Sequence, residues 1–186
     1  MKKNLSLFSL LCLFCTINIF AGNPVSVKSG TVAVLKSPSK ALLEVDYSAT
    51  KVGDQTLEEY LKGRGEDWVR DWPRDKETAI SYFKATFNDK SKGMKITSDE
   101  SVATHKIVIH VKTLDVGNAT GIFMPFAPAD AGGASMIGTV DIIDLQTNNV
   151  LCVLYVDEVK GDGTPSETIR MGMMYHELAT KICKLK

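Results

Sequence analysis

The sequence predicts an α/β fold, an α+β two-layer sandwich in which a mixed, largely antiparallel sheet is covered by two main helices, including one at the C-terminal end. Three observations carry that expectation. Val102–Asp115, Met136–Leu145 and Val150–Lys160 are long runs rich in β-branched residues. Residues 75–88 and 167–186 instead repeat their apolar positions at helical spacing. Between the second and third β-rich runs lies Gln146-Thr147-Asn148-Asn149, where asparagine tolerates the positive φ of a tight turn.

Met1–Ala21 reads as a cleaved export signal. Lys2 and Lys3 give it a basic start, Leu5–Phe20 is almost wholly apolar, and Ala21 and Gly22 are small residues at a cleavage point. The apolar run falls short of the roughly 20 residues that cross a bilayer, so no membrane-spanning segment is expected after cleavage. Leu11 precedes Cys12 and Phe14 precedes Cys15, and neither pair forms a lipid-attachment box. The expected location is therefore periplasmic or secreted. Without the leader, 20 basic side chains face 22 acidic ones, a balance that points to neither nucleic acid nor an anionic surface.

Residues 22–40 are polar and broken by Gly30 and Pro38, fitting either an edge strand or a loose arm. A single domain is expected over residues 41–186, long enough to close a proper core. Its first strand, Ala41–Ser48, sets Leu43, Val45 and Tyr47 opposite Glu44, Asp46 and Ser48. Thr56 begins a helix, with Glu59 at capping-box spacing. Gly63 and Gly65 interrupt it, and Glu66–Trp72 resumes it. Trp68 and Trp72 share one side as a packing anchor or as a cation–π patch with Arg64, Arg70 and Arg74. Pro73 is expected to stop this segment and Asp75 to start a new helix carrying Ala79, Ile80, Phe83, Thr86 and Phe87. Met94–Thr97 is a short strand.

In the first long strand Ile107, Ile109 and Val111 share one face, and Lys106, His110 and Lys112 share the other with Val108 and Leu114. An even hairpin loop aligns Ile137, Ile143 and Leu145 with Val150, Cys152, Leu154 and Val156. An odd loop exchanges one strand's faces. The connector Val116–Ser135 carries Ile122, Phe123, Met124 and Phe126 beside Pro125 and Pro128, an apolar loop that either folds over the core or contacts a partner. Ser166 caps the last helix, whose stripe is Met171, Tyr175, Leu178, Ile182 and Leu185, with Lys181, Lys184 and Lys186 at its negative end.

Catalytic signatures are sparse. His176-Glu177-Leu178-Ala179-Thr180 begins like a zinc-protease helix but places threonine where the second imidazole must stand. His105 and His110 lie on opposite faces of one strand. No Gly-x-Ser-x-Gly elbow or phosphate loop is present, so no catalytic residue, metal ligand or cofactor site is assigned. Asp141, Asp144, Asp157 and Glu158 near the hairpin are solvated strand charges or an acidic cluster. Cys152 and Cys183, the cysteines left after export, are a disulfide candidate in an oxidising compartment or two small apolar side chains.

Residues from about Thr104 to Lys184 resemble an uncharacterised family of bacterial envelope proteins. The resemblance runs through Asp115-Val116-Gly117 at a strand end, the glycine-bearing connector, the hairpin of Gly138–Asp144 and Val150–Val156, and the closing helix. The architecture is similar to the amino-terminal domain of the Tol translocation protein, to lipoproteins that activate penicillin-binding proteins, and to the curli secretion lipoprotein. That resemblance implies a non-enzymatic binding or scaffolding module of the cell envelope, with another envelope protein as partner. The alternatives are an exported hydrolase built on Asp141, Asp157 and Glu158, and a purely structural envelope component.

Overall fold

A computed structural model of the chain describes residues 22–119 and 130–186. The expected contact residues Ile122, Phe123, Met124 and Phe126 lie outside them, as does the leader. Within them the fold is α/β, an open mixed sheet of eight strands with four helices.

The strands are β1 (Val25–Gly30), β2 (Lys40–Asp46), β3 (Lys51–Val52), β4 (Gln55–Thr56), β5 (Lys95–Ile96), β6 (His105–Asp115), β7 (Ser135–Asp144) and β8 (Val150–Lys160). The helices are α1 (Ala33–Lys36), α2 (Leu57–Arg64), α3 (Glu66–Lys90) and α4 (Glu167–Cys183). The main sheet runs β1-β8-β7-β6-β2-β5, with β3 paired to β6 and β4 paired to β3. β1, β8, β7 and β6 pair antiparallel, whereas β2 lies parallel to both β6 and β5. Parallel pairing demands a crossover, and α2 and α3 supply it. Residues 22–40 are thus no loose arm: β1 is the edge strand beside β8, and Val25, Val32 and Leu35 enter the core.

Hairpin register corrects the even-loop expectation. Gly138, Val140 and Ile142 stand opposite Val156, Leu154 and Cys152, and this face is the buried one, while Ile137 and Ile143 are only partly covered. Leu114 also changes side. A bulge between Val111 and Thr113 advances β6 by one residue, so Leu114 joins Ile107, Ile109 and Val111 in the core instead of Lys106 and His110. A second irregularity lies across the same stretch of β7. Val156 opposes Gly138 but Val159 opposes Met136, with Glu158 at φ 46° between them. Both flanking strands therefore bulge around Ile137, and Leu114, Met136 and Val159 stay inward.

Pro73 does not end a helix. α3 is continuous over 25 residues with Pro73 inside it. The hydrogen bond that proline cannot make would have gone to the carbonyl of Val69, an exposed residue, where water can take its place. Thr56 forms the expected capping box with Glu59, and Ser166 Oγ accepts from the Ile169 amide at 3.5 Å. α3 and α4 lie side by side on the sheet and run the same way. Arg64 reaches Glu167, Tyr82 packs on Gly172, and Thr86 meets His176. A Cβ at Gly172 would stand 2.8 Å from the Tyr82 ring, so glycine sets how closely the helices approach.

Candidate functional site

Because α3 and α4 are parallel, both C-terminal ends emerge at one edge of the helical layer. α1 closes that edge from the side. Met94 donates its amide to the Leu35 carbonyl at 3.1 Å, and Gly93 lies so close that a Cβ there would stand 2.3 Å from the Lys36 backbone. Between these three elements is a cleft of about 410 Å³. Val32, Leu35, Phe87 and Ile182, all buried, line its apolar part. Around it stand Lys36, Lys90, Lys92, Lys184 and Lys186, every one exposed. No aspartate or glutamate lines this cleft, and among the described residues no carboxylate pairs with any of the five.

Cys183 is in the wall. Burial pushes its thiol up to about 11 even though Lys90 and Lys95 pull the other way, so it is a protonated, weakly polar wall residue at neutral pH. The Lys95 ammonium is occupied, donating to the Asn88 and Ser91 carbonyls at 2.6 and 2.5 Å and closing the end of α3.

The other expected sites come apart. Cys152 and Cys183 are both free thiols: Cys152 is buried on the core face of β8, and Cys183 is half-buried at the tip of α4. Asp141 lies on the charged sheet face, where His110 sits between Asp46 (Nδ1–Oδ2 3.0 Å) and Asp141 (Nε2–Oδ2 3.5 Å). Bonds from Ser48, with His110 adding to them, hold the Asp46 carboxyl down at about 2. Asp157 is exposed, and four residues along the strand separate its level from that of Asp141, roughly 13 Å. Asp144 is spent on the hairpin turn, accepting from the Gln146 and Thr147 amides at 2.9 and 2.8 Å. The carboxylates proposed for a hydrolase therefore do not converge.

Glu158 lines a second, more polar cleft of about 570 Å³ with Asp130, Asp162, His176 and Glu177. Its charged groups are partly committed already. His176 Nδ1 is 2.7 Å from Thr86 Oγ1, Glu177 pairs with Lys181 at 3.0 Å, and Asp130 pairs with Lys160 at 3.8 Å. Thr180, at the position of the missing zinc imidazole, has a buried Oγ1 with no partner among the described residues. The two tryptophans split their roles. Trp72 packs edge-on against Tyr47, while the Arg64 guanidinium lies 3.3 Å from the centre of the Trp68 ring and 2.6 Å from Glu167.

Sequence reasoning missed two features. Arg170 is 4 % exposed and ties the loop before α4 to the end of β6, donating to the carbonyls of Val116, Thr164 and Pro165 at 2.8–3.0 Å. The second is the lysine-rimmed cleft, whose residues come from three separate stretches of chain. Its only trace in the sequence is that lysines cluster just past two predicted helix ends.

No family model and no curated protein matches the chain. Among solved structures it is similar to the PelC dodecamer from Paraburkholderia phytofirmans, with 12% identity and a TM-score of 0.42 over 83% of this chain and 96% of that one. It is also similar to a putative neuraminyllactose-binding hemagglutinin homolog from Helicobacter pylori, with 10% identity and a TM-score of 0.34 over 86% of this chain and 87% of that one.

Proposed function

We propose that the chain is an exported binding module of the bacterial cell envelope, and that it holds an apolar ligand in the cleft between α1 and the ends of α3 and α4. The carrying observation is the cleft itself: about 410 Å³, lined by buried aliphatic and aromatic side chains and by five exposed lysines. Such a recess is within the roughly 300–1,000 Å³ typical of small-molecule sites. The leader and the resemblance to envelope proteins support the location, and the dispersal of Asp141 and Asp157 favours binding over hydrolysis.

Cys183 provides the test. Its thiol is expected to react slowly with a small alkylating reagent at pH 9, and Cys152, buried in the sheet, serves as an internal control. N-phenyl-1-naphthylamine, an uncharged apolar fluorophore, is expected to brighten on saturable binding and to slow Cys183 alkylation in the same concentration range. Brightening that leaves Cys183 unprotected would place the probe elsewhere and remove this assignment. The export half of the reading requires a mature chain beginning at Gly22, and intact-mass measurement on protein from the native host decides it.

A further inference from the structure

We infer that the ligand of this cleft is a single-chain anionic amphiphile, an acyl carboxylate whose tail lies against Phe87 and Ile182 and whose head meets the lysines; this rests on the cleft being the binding site.

Charge at the cleft mouth is the first reason. In the whole chain basic and acidic side chains are equal in number, 22 of each, yet the cleft gathers five lysines and no aspartate or glutamate. Elsewhere several cations have carboxylate partners, Lys62 with Glu58, Lys106 with Glu44, Arg70 with Asp67 and Lys181 with Glu177, while exposed Lys28, Lys40, Lys51 and Lys112 have no ion pair among the described residues. What sets the cleft apart is that five lysines surround one mouth with no aspartate or glutamate among its lining residues. Neutralising helix ends does not account for it. Two C-terminal ends bring roughly half a negative charge each, and part of that is already met by Lys95 on the last turn of α3. Several positive charges remain, set around a low-dielectric recess that strengthens their pull on an anion.

The shape of the apolar surface is the second reason. Leu35, Phe87 and Ile182 are 8 %, 1 % and 3 % exposed, so they form a recess and not a protruding face. A bilayer cannot be entered by side chains that do not protrude, and the large exposed apolar residues (Val27, Val69, Val102, Leu145, Val150, Tyr155 and Ile169) line no part of the cleft. The ligand has to enter the protein, which requires something slender and apolar with one anionic end.

Calorimetric titration of the purified protein with dodecanoate, dodecanol and dodecyltrimethylammonium, each below its micelle-forming concentration, tests this. Dodecanoate is expected to bind at least about tenfold more tightly than dodecanol, about 1.4 kcal/mol, with the cation weakest. Raising salt should shrink that preference. The double variant Lys90→Glu with Lys184→Glu should lose it while still binding N-phenyl-1-naphthylamine, and Lys90→Gln with Lys184→Gln serves if the first pair does not fold. Equal affinity for acid and alcohol, with Cys183 protected by both, would overturn the anionic head and leave an apolar cleft. Absence of binding by fluorophore and dodecanoate alike would sink both readings. Retention on phosphatidylglycerol vesicles, with no protection of Cys183 by monomeric dodecanoate, would overturn the inference in favour of a membrane surface.

Discussion

The two ends of the α3–α4 pair make opposite use of charge. At the N-terminal end, Arg64 lies over Trp68, reaches Tyr60 Oη and pairs with Glu167, and Arg170 is committed to backbone carbonyls. At the C-terminal end five lysines stand around an apolar recess with no carboxylate partner among the described residues. Parallel helices force part of this contrast, since aligned dipoles place both positive ends together and both negative ends together. The negative end calls for cations and the positive end for anions, and Glu167 in the first turn of α4 answers the second demand. What differs is completion. One end is finished within the chain, so its side chains hold the fold together. The other has cationic capacity left over, and that is where a ligand's charge has something to gain.

If that contrast is right, the largest loss of stability comes from the completed end. Arg170→Met removes a buried guanidinium and leaves the Val116, Thr164 and Pro165 carbonyls without their donor. Each unsatisfied buried group costs about 1–3 kcal/mol, with partial rescue by water, so a total loss of about 3 kcal/mol is expected. A urea midpoint lowered accordingly at unchanged slope would confirm it. A loss below about 1 kcal/mol would mean that the guanidinium does not hold the junction of β6 and α4.

A smaller effect, of opposite sign, is expected near the open end. Thr180 Oγ1 is buried in α4 without a hydrogen-bond partner among the described residues. Thr180→Val keeps the shape and removes the stranded hydroxyl, so stability should rise by about 1 kcal/mol. Thermal unfolding reads this directly. A decrease would show that the hydroxyl is satisfied in solution, for example by a bound water.

Much of this arrangement was legible from residue order. β6, β7, β8 and α4 follow from β-branched runs, the Asn148 turn and the Met171-Tyr175-Leu178-Ile182 stripe, because those patterns are set by neighbours in the sequence. Pro73 is not legible from sequence because the cost of proline depends on whether its lost acceptor faces water. That is a tertiary fact, and at exposed Val69 the cost is small. Leu114 was placed on the wrong face because one bulged residue reverses a period of two, and nothing local to Lys112 announces the bulge. The cleft was invisible for a deeper reason. Its lysines at 36, 90, 92, 184 and 186 become neighbours only after α3 and α4 are known to be parallel. Read singly, Lys184 and Lys186 were helix-end cations, and that reading missed what they form together.

The finest discrimination between the two ends is a pair of lysines that ought to matter for binding and hardly at all for folding. Lys90 and Lys184 are exposed and unpaired among the described residues, so Lys90→Gln with Lys184→Gln forfeits no packing and only the helix-dipole attraction. Exposed charges at helix ends are worth about 0.3–1 kcal/mol at low ionic strength and less in salt. At 0.15 M salt the double variant should unfold within about 0.5 kcal/mol of the parent, a separation that chemical denaturation resolves only as no change. The same variant should bind dodecanoate more weakly and dodecanol as before. Loss of stability comparable to that of Arg170→Met would mean these lysines are structural after all, as tightly used as the arginines at the other end, and the open end would then have no charge to offer a ligand.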